Sequence, residues 1–368
     1  MKKWYLALAA LVLAIIACDI TVPVETGTTP VVITPTTTQV MGTSTGRWYE
    51  VYFTSPVIPF DNVYTGGIED HLIQKIDIAQ NTIDLAVYDF NLDDVTQALI
   101  QAKQRGVIVR VVYDNGQTDS FPQMTELIGA GIPAVPDDRS AFMHDKFFVF
   151  DNQCIWTGSF NISTNAAYRN NENALYFCSP EVAANYTAEF TEMFADEFGP
   201  RSPSNTPYPT FTIDGASIEN YFAPEDGVMA KVIAAVAKSQ TYTHFMAYSF
   251  TDDALADTML QGMGQGVEIG GIFEAFGANT PYSECKTLLT AGADISLDGN
   301  PNTFHHKVII IDGTTVILGS FNFSAQANDS NDENLLIVHD SSLASAYERE
   351  YQRMKNQSVV PSGGDCTK

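Results

Sequence analysis

Two kinds of apolar pattern alternate along the chain, and their alternation predicts its fold class. Segments with apolar residues three and four positions apart, typical of helices, alternate with short runs that are apolar almost throughout, typical of strands buried in a sheet. In the first half this order predicts strand, helix, strand, helix, strand and helix at residues 49–54, 67–80, 82–90, 92–106, 107–114 and 121–131. Alternation of strand and helix indicates an α/β layer.

The second half repeats this order. A helix, strand, helix, strand and helix are predicted at residues 227–239, 241–250, 252–266, 267–275 and 283–293. A Pro/Ser-rich stretch at 198–210 separates the halves and is typical of a joint. The pattern therefore predicts a first repeat at 48–198, a linker at 199–212, a second repeat at 213–358 and a short tail at 359–368.

The two repeats also share a motif of polar residues. "FMHDKFFVFDNQCIWTGSFN" at 142–161 returns as "FHHKVIIIDGTTVILGSFN" at 304–322, with an offset of 161 residues. The residues that recur at this offset are His144/His305, Lys146/Lys307, Asp151/Asp312, Gly158/Gly319, Ser159/Ser320, Phe160/Phe321, Asn161/Asn322, Ser163/Ser324, Asn170/Asn331, Glu172/Glu333 and Asn173/Asn334. Tyr88 matches Tyr248 at an offset of 160, whereas Tyr52 matches Tyr221 at 169. The first repeat therefore carries about eight extra residues near its start, and the whole chain is a two-fold duplication of domains.

Each copy of this motif predicts a β-hairpin. The hairpins turn at Asp151-Asn152 and at Asp312-Gly313, residue types that accept positive φ, so both aspartates are interpreted as turn residues. Because strand side chains alternate between faces, the histidine and lysine of each His-x-Lys lie together, whereas Asp145 and His306 point the other way.

The hairpins bring together groups suited to a phosphate. We expect the lysines and the amides of Asn161 and Asn322 to hold anionic oxygens, Ser159 and Ser320 to donate hydroxyl hydrogen bonds, and Gly158 and Gly319 to admit a bound group close to the backbone. A carboxylate beside an imidazole fixes its tautomer, a role predicted for Glu172 and Glu333. One such set would bind a phosphate, and two facing sets could cleave a phosphodiester.

The doubled motif resembles the HxK-x4-D-x6-GS-x-N signature of the phospholipase D superfamily, with matched spacing in both copies. The likeness spans about residues 48–355 and implies two similar α/β lobes about a pseudo-two-fold axis, with one active site between them. It also implies that one histidine, usually that of the first copy and here His144, attacks phosphorus to form a phosphohistidine. The other histidine, here His305, protonates the leaving oxygen and then activates water. Because Lys146 and Lys307 supply the cations, neither a metal nor a cofactor is expected.

The form "GSFN", with one residue between Ser and Asn, resembles the compact nuclease and cardiolipin-hydrolase branch of the superfamily. Three functions follow as hypotheses. The first is a phospholipase D acting on phospholipid, the second a nuclease using the same residues, and the third a phosphate-binding module without activity. Two complete sets argue against the third, because a degenerate copy usually lacks its His or Lys.

The first eighteen residues predict export. "MKKWYLALAALVLAIIAC" has two lysines, then an apolar run too short for a comfortable membrane span, then Cys18 in a context resembling a bacterial lipobox. An uncleaved N-terminal helix is the alternative. The Thr/Pro-rich segment 19–47 reads as a tether. We therefore expect a lipoprotein anchored at the membrane of the cell envelope, and a monomer.

Charge and cysteine content refine these expectations. The formal net charge is −25, and loss of Lys2 and Lys3 with a signal peptide would make it −27. Proteins that bind nucleic acid need positive charge against phosphates, so this balance favours phospholipid over polynucleotide. An exported chain can keep disulfides, and Cys154, Cys178, Cys285 and Cys366 allow three pairings. Pairing within each repeat, Cys154 with Cys178 and Cys285 with Cys366, is preferred.

Overall fold

A computed structural model describes residues 43–362 and 364–368. The predicted signal segment with its lipidated Cys18, and the predicted tether up to residue 42, lie outside the described residues. The described residues belong to one compact unit, which contains both repeats.

The first repeat forms one lobe around an eight-stranded sheet. Its strands are β1 (Ser44–Thr45), β2 (Tyr49–Phe53), β3 (Thr82–Val87), β4 (Ile108–Tyr113), β5 (Ala134–Pro136), β6 (Lys146–Phe150), β7 (Cys154–Gly158) and β8 (Asn173–Cys178). Its helices are α1 (Glu69–Ile78), α2 (Asp93–Gln104), α3 (Asn115–Thr118), α4 (Pro122–Gly129), α5 (Thr164–Tyr168) and α6 (Pro180–Phe194).

The second repeat forms a matching lobe. Its strands are β9 (Thr210–Ile213), β10 (Ala216–Ala223), β11 (Tyr242–Ala247), β12 (Glu268–Phe273), β13 (Asp294–Leu297), β14 (Lys307–Ile311), β15 (Thr315–Gly319) and β16 (Glu333–His339). Its helices are α7 (Val228–Val236), α8 (Asp253–Gly264), α9 (Ala275–Ala278), α10 (Cys285–Thr290), α11 (Ala325–Asp329) and α12 (Ser341–Lys355), and a 3-10 turn at Gly199–Arg201 precedes β9.

The two sheets have the same topology. The strand order is β1-β2-β8-β7-β6-β3-β4-β5 in the first and β9-β10-β16-β15-β14-β11-β12-β13 in the second. In each sheet three neighbouring strands are parallel, β3-β4-β5 and β11-β12-β13, and the other pairings are antiparallel. The predicted fold class, two similar α/β lobes, is confirmed.

Two long helices, at residues that carry no prediction above, join the lobes. α6 and α12 supply buried apolar side chains to a central core that also takes residues from both sheets. Each helix also sends one tyrosine hydroxyl across the boundary. Tyr186 donates to Asn334 Oδ1 at 3.1 Å, and Tyr347 donates to Asn173 Oδ1 at 3.0 Å. This reciprocal pattern is what a two-fold relation between the lobes produces.

The predicted joint and tail are partly built into the fold. β9 begins inside the Pro/Ser-rich segment and pairs with β10. In the tail, Val359 forms a β-bridge with Leu297, and Cys366 is joined to Cys285. The other disulfide links Cys154 to Cys178 across β7 and β8, so the preferred pairing is confirmed. Across residues 43–362 and 364–368, no helix combines the length and the hydropathy needed to span a membrane.

Candidate active site

The paired motifs lie at the edge where each hairpin meets the other lobe. β6 and β7 form one hairpin, and β14 and β15 form the other. The turn aspartates have positive φ, 54° at Asp151 and 52° at Asp312. Asp151 accepts hydrogen bonds from three successive backbone N–H groups at residues 80–82, and Asp312 does so at residues 240–242. Each aspartate thereby ties the far end of the hairpin to the strand beside it.

The motif glycines admit a neighbouring strand rather than a bound group, so the expectation for Gly158 and Gly319 was wrong. Their φ angles are 141° and 151°. A Cβ at Gly158 would lie 2.4 Å from the carbonyl oxygen of Asn173, and one at Gly319 would lie 2.2 Å from that of Asn334. The glycines therefore let β7 and β15 approach the residue that follows each motif glutamate.

Each motif histidine is held by the glutamate of the other lobe. His144 Nδ1 lies 2.7 Å from Glu333 Oε2, and His305 Nδ1 lies 2.9 Å from Glu172 Oε2. All four side chains are buried. Because Nδ1 of each imidazole is engaged, Nε2 is the nitrogen left for chemistry. Each lobe supplies the carboxyl group that orients the histidine of the other.

The backbone repeats the exchange. The N–H of His144 donates to the carbonyl of Asp332 at 2.9 Å, and the N–H of His305 donates to that of Asn171, also at 2.9 Å. The residue preceding each glutamate therefore anchors the histidine of the opposite lobe. The backbone hydrogen bonds and the side-chain hydrogen bonds therefore connect each histidine to the same segment of the other lobe.

Each glutamate is in turn oriented by its own lobe. The donors are Ser159 Oγ at 2.6 Å and Asn170 Nδ2 at 3.0 Å for Glu172, and Ser320 Oγ at 2.7 Å and Asn331 Nδ2 at 3.0 Å for Glu333. Ser159 and Ser320 therefore support the carboxylates in this structure, whereas the sequence suggested contact with phosphate. This leaves each carboxylate with one oxygen directed at an imidazole.

The lysines lie beside the histidines. Lys146 Nζ donates to the carbonyl of His144 at 2.6 Å, and Lys307 Nζ donates to that of His305 at 2.9 Å. Each ammonium also lies 4.7 Å from the centre of a tyrosine ring, Tyr88 or Tyr248. An ammonium has three donors, so each lysine retains capacity to bind an anionic oxygen.

The motif asparagines end in unpaired atoms. Asn161 Oδ1 and Asn322 Oδ1 are buried and have no hydrogen-bond partner among the described residues. A buried polar atom without a partner is costly unless a ligand completes it. Across the same residues, no three His, Cys, Asp or Glu side chains cluster as they would around a metal ion.

Burial dominates the electrostatics. It lowers the pKa of His144 well below the ordinary value, and the charges of Lys146 and Lys307 add to the effect. It lowers the pKa of His305 to about 4, against the opposing attraction of Glu172. Both imidazoles are therefore uncharged at neutral pH, the form that a nucleophile requires.

Burial acts on the neighbouring charges as well. It lowers the pKa of Lys146 to about 8 and that of Lys307 to about 7, although the glutamates oppose the shift. It raises the pKa of Glu333 to about 8, against the attraction of Lys146. A bound phosphate diester would restore the charge on both lysines, because a nearby anion favours the protonated amine.

Sequence reasoning assigned no role to several residues of this site. The rings of Tyr88 and Tyr248 pack edge-on against His144 and His305, with centroids 4.6 and 4.9 Å apart. Asn170 and Asn331 orient the glutamates. The signal was present, since all four residues recur between the repeats. Thr54, whose Oγ1 accepts from the N–H of Glu172 at 2.7 Å, had no such signal.

A family model described as "Cardiolipin synthase, PLD-like domain" matches the chain twice, at residues 72–194 and 232–355. Each match contains one complete motif. The chain belongs to the phospholipase D superfamily. At the level of this family its chemistry is that of a phosphodiesterase.

Similar proteins support the assignment. A phospholipase D from Rickettsia conorii is 29% identical over 140 residues, which cover 38% of this chain and 70% of that protein. A mitochondrial cardiolipin hydrolase from Xenopus laevis is 29% identical over 129 residues, covering 35% of this chain and 61% of that protein. The crystal structure of a phosphatidylserine synthase from Haemophilus influenzae, 15% identical, superposes with a TM-score of 0.62 over 80% of this chain and 86% of that chain. It shows the duplicated fold.

In this member of the superfamily the two lobes differ directly behind the site. Asp145 and His306 occupy equivalent positions and, as predicted, point away from the motif face. Asp145 accepts from Asn334 Nδ2 at 2.7 Å, and His306 Nδ1 lies 3.0 Å from Asn173 Nδ2. The first lobe therefore buries a carboxyl where the second buries an imidazole.

The buried carboxyl is expected to make stability depend on pH. Burial raises the pKa of Asp145 to about 7, so the folded chain retains a proton there that the unfolded chain loses above pH ~4. Stability from this group therefore falls as pH rises from about 4 to 7. Asp145→Asn should remove that loss and stabilise the chain more at pH 8 than at pH 5, by about 2–3 kcal/mol at ~1.4 kcal/mol per pKa unit. Urea unfolding at both pH values measures the difference.

Asp151→Asn is the matched control. Hydrogen bonds from three backbone N–H groups outweigh partial burial and hold the pKa of Asp151 below its ordinary value. That variant should lose stability at pH 8. An equal effect of Asp145→Asn at both pH values would contradict the interpretation.

Proposed function

We propose that this chain is a phospholipase D that hydrolyses phospholipids through a covalent phosphohistidine, without a metal ion. The observation that carries the proposal is the crossed pairing of His144 with Glu333 and of His305 with Glu172, with Lys146 beside one imidazole and Lys307 beside the other. This arrangement offers two oriented imidazoles and two cations at a single site, which is what in-line displacement at phosphorus needs.

In the first step, Nε2 of one histidine attacks phosphorus while the bond to the leaving alcohol oxygen breaks. The other histidine, in its imidazolium form, donates its Nε2 proton to that oxygen; the negative charge of the bound phosphate favours this form, because a nearby anion raises the pKa of an imidazole. In the second step this histidine takes a proton from water, whose oxygen attacks the phosphohistidine and displaces the imidazole. The products are a phosphomonoester and an alcohol. The resemblance assigns the attack to His144, although the two halves are nearly symmetric.

Lys146 and Lys307 bind the non-bridging oxygens, where charge develops in the transition state. Asn161 and Asn322 add the N–H donors of their side-chain amides to the same task, because the non-bridging oxygens of a phosphate diester only accept hydrogen bonds. Because the cations come from side chains, the proposed reaction needs no metal.

The charges around the motifs support a lipid substrate. Three arginines near the motif segments each contact a carboxylate. Arg139 forms an ion pair with Asp332, and Arg353 forms one with Glu350 at 2.7 Å. Arg169 lies 4.0 Å from Asp61. These cations are therefore already neutralised. A polynucleotide track would need a row of cations free to meet phosphates. The names of the relatives, phospholipase D and cardiolipin hydrolase, point the same way.

The proposal includes an extracytoplasmic, membrane-anchored location. Two disulfides support an oxidising compartment. The sequence motif ending at Cys18 supplies the anchor in this proposal. An enzyme held at a membrane by its N-terminus would have its lipid substrate at high local concentration.

The test is a side-by-side assay of the purified protein on phosphatidylcholine, cardiolipin and single-stranded DNA, with and without EDTA. We expect phosphatidic-acid-type products from lipid, no cleavage of DNA, and rates unchanged by the chelator. The His144→Ala protein is the matched blank for contaminating activity. Cleavage of DNA alone would establish the nuclease, and loss of activity in EDTA would overturn the metal-free mechanism.

A further inference from the structure

The first lobe carries an apolar loop that the second lobe lacks. Residues 54–68 link β2 to α1, whereas only residues 224–227 link β10 to α7, so the extra residues of the first repeat lie in this loop. The loop leaves large apolar side chains in solvent: Val57 is 51% exposed and Val63 53%, with Ile58, Phe60 and Tyr64 also exposed. Exposed apolar side chains grouped in one loop indicate a surface that meets an apolar partner.

The second lobe exposes aromatic residues of its own near the site. Phe276 is 97% exposed and Tyr282 is 77% exposed. Phe276 also lines a cavity of about 250 Å³, together with Phe250, Phe273 and Tyr248. The ring of Tyr248 packs against His305, so this cavity adjoins the active site. We call Val57, Ile58, Phe60, Val63, Tyr64, Phe276 and Tyr282 the apolar rim.

A chain of contacts connects the two parts of the rim. Ala275, next to Phe276, donates its N–H to Asp298 at 2.8 Å, and the same carboxylate accepts from the N–H of Asn300 at 2.8 Å. Asn300 Nδ2 then donates to the carbonyl of Arg169 at 2.8 Å. The guanidinium of Arg169 lies 4.7 Å from the ring centre of Phe60. A short chain of contacts therefore connects the two parts of the rim across the lobe boundary.

Both parts of the rim are attached to catalytic segments. Thr54, the first residue of the loop, makes two hydrogen bonds with the backbone of Glu172: its N–H donates to the Glu172 carbonyl at 3.1 Å, and its side-chain Oγ1 accepts from the Glu172 N–H at 2.7 Å. On the other side, Glu274 accepts a hydrogen bond from the N–H of Phe304, which precedes His305. The rim thus borders the mouth of the proposed active site.

The charge pattern identifies the partner. The whole chain has a net charge of −25, yet residues 275–283 contain no charged side chain and residues 54–68 contain only Asp61. Asp61 lies 4.0 Å from Arg169, which offsets its charge. An acidic protein is repelled by an anionic membrane, but an uncharged apolar rim can enter the interface of a zwitterionic one.

We propose that the apolar rim docks the enzyme onto a zwitterionic phospholipid surface and presents the active site to it. This inference rests on the proposed function, because it supplies the route by which a lipid leaves its bilayer for the buried histidines. The tyrosines suit the headgroup region, and the aliphatic side chains and Phe276 suit the acyl boundary. Docking then raises turnover of lipid in a bilayer and leaves turnover of a dissolved diester unchanged.

A kinetic comparison tests the rim with the full chain. The variants are Val63→Ser with Phe276→Ser, and the matched control is Ile78→Ser with Ile108→Ser, which removes two side chains exposed at 62% and 61% away from the rim. We expect the rim variant to lose at least about ten-fold in kcat/KM on phosphatidylcholine vesicles and nothing on a soluble chromogenic phosphodiester. The control variant should match the wild type on both, and any N-terminal anchor acts equally on all three.

A binding measurement separates this inference from the proposed function. The tryptophan of Phe276→Trp should be quenched by phosphatidylcholine vesicles brominated in their acyl chains, whereas that of Ile108→Trp should not. If the wild type cleaves no lipid, the proposed function fails and quenching still decides the rim. Absence of quenching, equal kinetic loss on both substrates, or a change of oligomeric state in the rim variant, which would make a second copy the occupant, overturns the docking surface.

Discussion

His144→Ala and His305→Ala are each expected to lower kcat/KM for a phospholipid, whose leaving alcohol needs a proton, by at least about a thousand-fold. Each histidine has a separate duty in covalent catalysis, and proton transfer by a positioned group alone contributes roughly 10²–10⁴-fold. The kcat/KM of the double variant should be no lower than that of the less active single variant, because the effects of groups that act as a unit are not additive. Lys146→Ala should weaken turnover greatly without affecting the fold.

The leaving group distinguishes the two histidines. With a p-nitrophenyl ester the departing oxygen needs no proton, so the variant that lacks the acid–base histidine should still release a burst of nitrophenol and accumulate phosphoenzyme. The variant that lacks the nucleophile should show no burst. The resemblance assigns the burst to His305→Ala. Unchanged hydrolysis in both variants would remove every enzymatic interpretation of the site.

Glu172→Gln and Glu333→Gln are each expected to lower kcat/KM roughly 100- to 1000-fold, because an amide orients the imidazole less well than the carboxyl group that contacts its Nδ1. The crossed pairing adds a specific expectation. Glu172→Gln should reproduce the kinetic signature of His305→Ala, and Glu333→Gln that of His144→Ala. Burst amplitude and trapped phosphoenzyme, measured for all four variants, provide the comparison.

Pairing within each repeat, rather than between repeats, would give the opposite kinetic result. If each glutamate served the histidine of its own repeat, Glu172→Gln would instead resemble His144→Ala. A second control comes from Ser159→Ala, which removes a donor to Glu172 and leaves the carboxylate in place. Ser159→Ala should show the same pattern of burst and trapped phosphoenzyme as Glu172→Gln, with a smaller loss of kcat/KM.

The repeats and their elements could be predicted because the evidence for them is local. Apolar spacing of three and four residues predicted α1, and an almost unbroken apolar run predicted β4. The offset of 161 residues between His144 and His305 showed that the second half repeats the motif residues of the first. Turn chemistry at Asp151 and Asp312 followed from the residue types alone. The cysteine pairing was open by counting and was settled by the adjacency of β7 and β8.

Other features required the assembled fold. Phe276 and the loop at 54–68 are distant in sequence, and the contacts that connect them depend on how Asn300 of one lobe meets Arg169 of the other. The role of Gly158 was misjudged because the approaching group belongs to β8, which the sequence alone could not place beside β7. The five loop residues of the apolar rim gave no repeated signal, since that loop exists in one lobe only.

The amino-acid sequence by itself determined the duplication, the α/β class and the inventory of imidazole, ammonium, amide and carboxylate in each half. These depend on periodicity and residue type, which are properties of neighbours along the chain. Only the tertiary structure decided that Glu333 serves His144 and Glu172 serves His305. That choice depends on a two-fold contact between lobes, formed by α6, α12 and both sheets, and nothing in the local pattern of either repeat distinguishes a partner in the same lobe from one across the boundary.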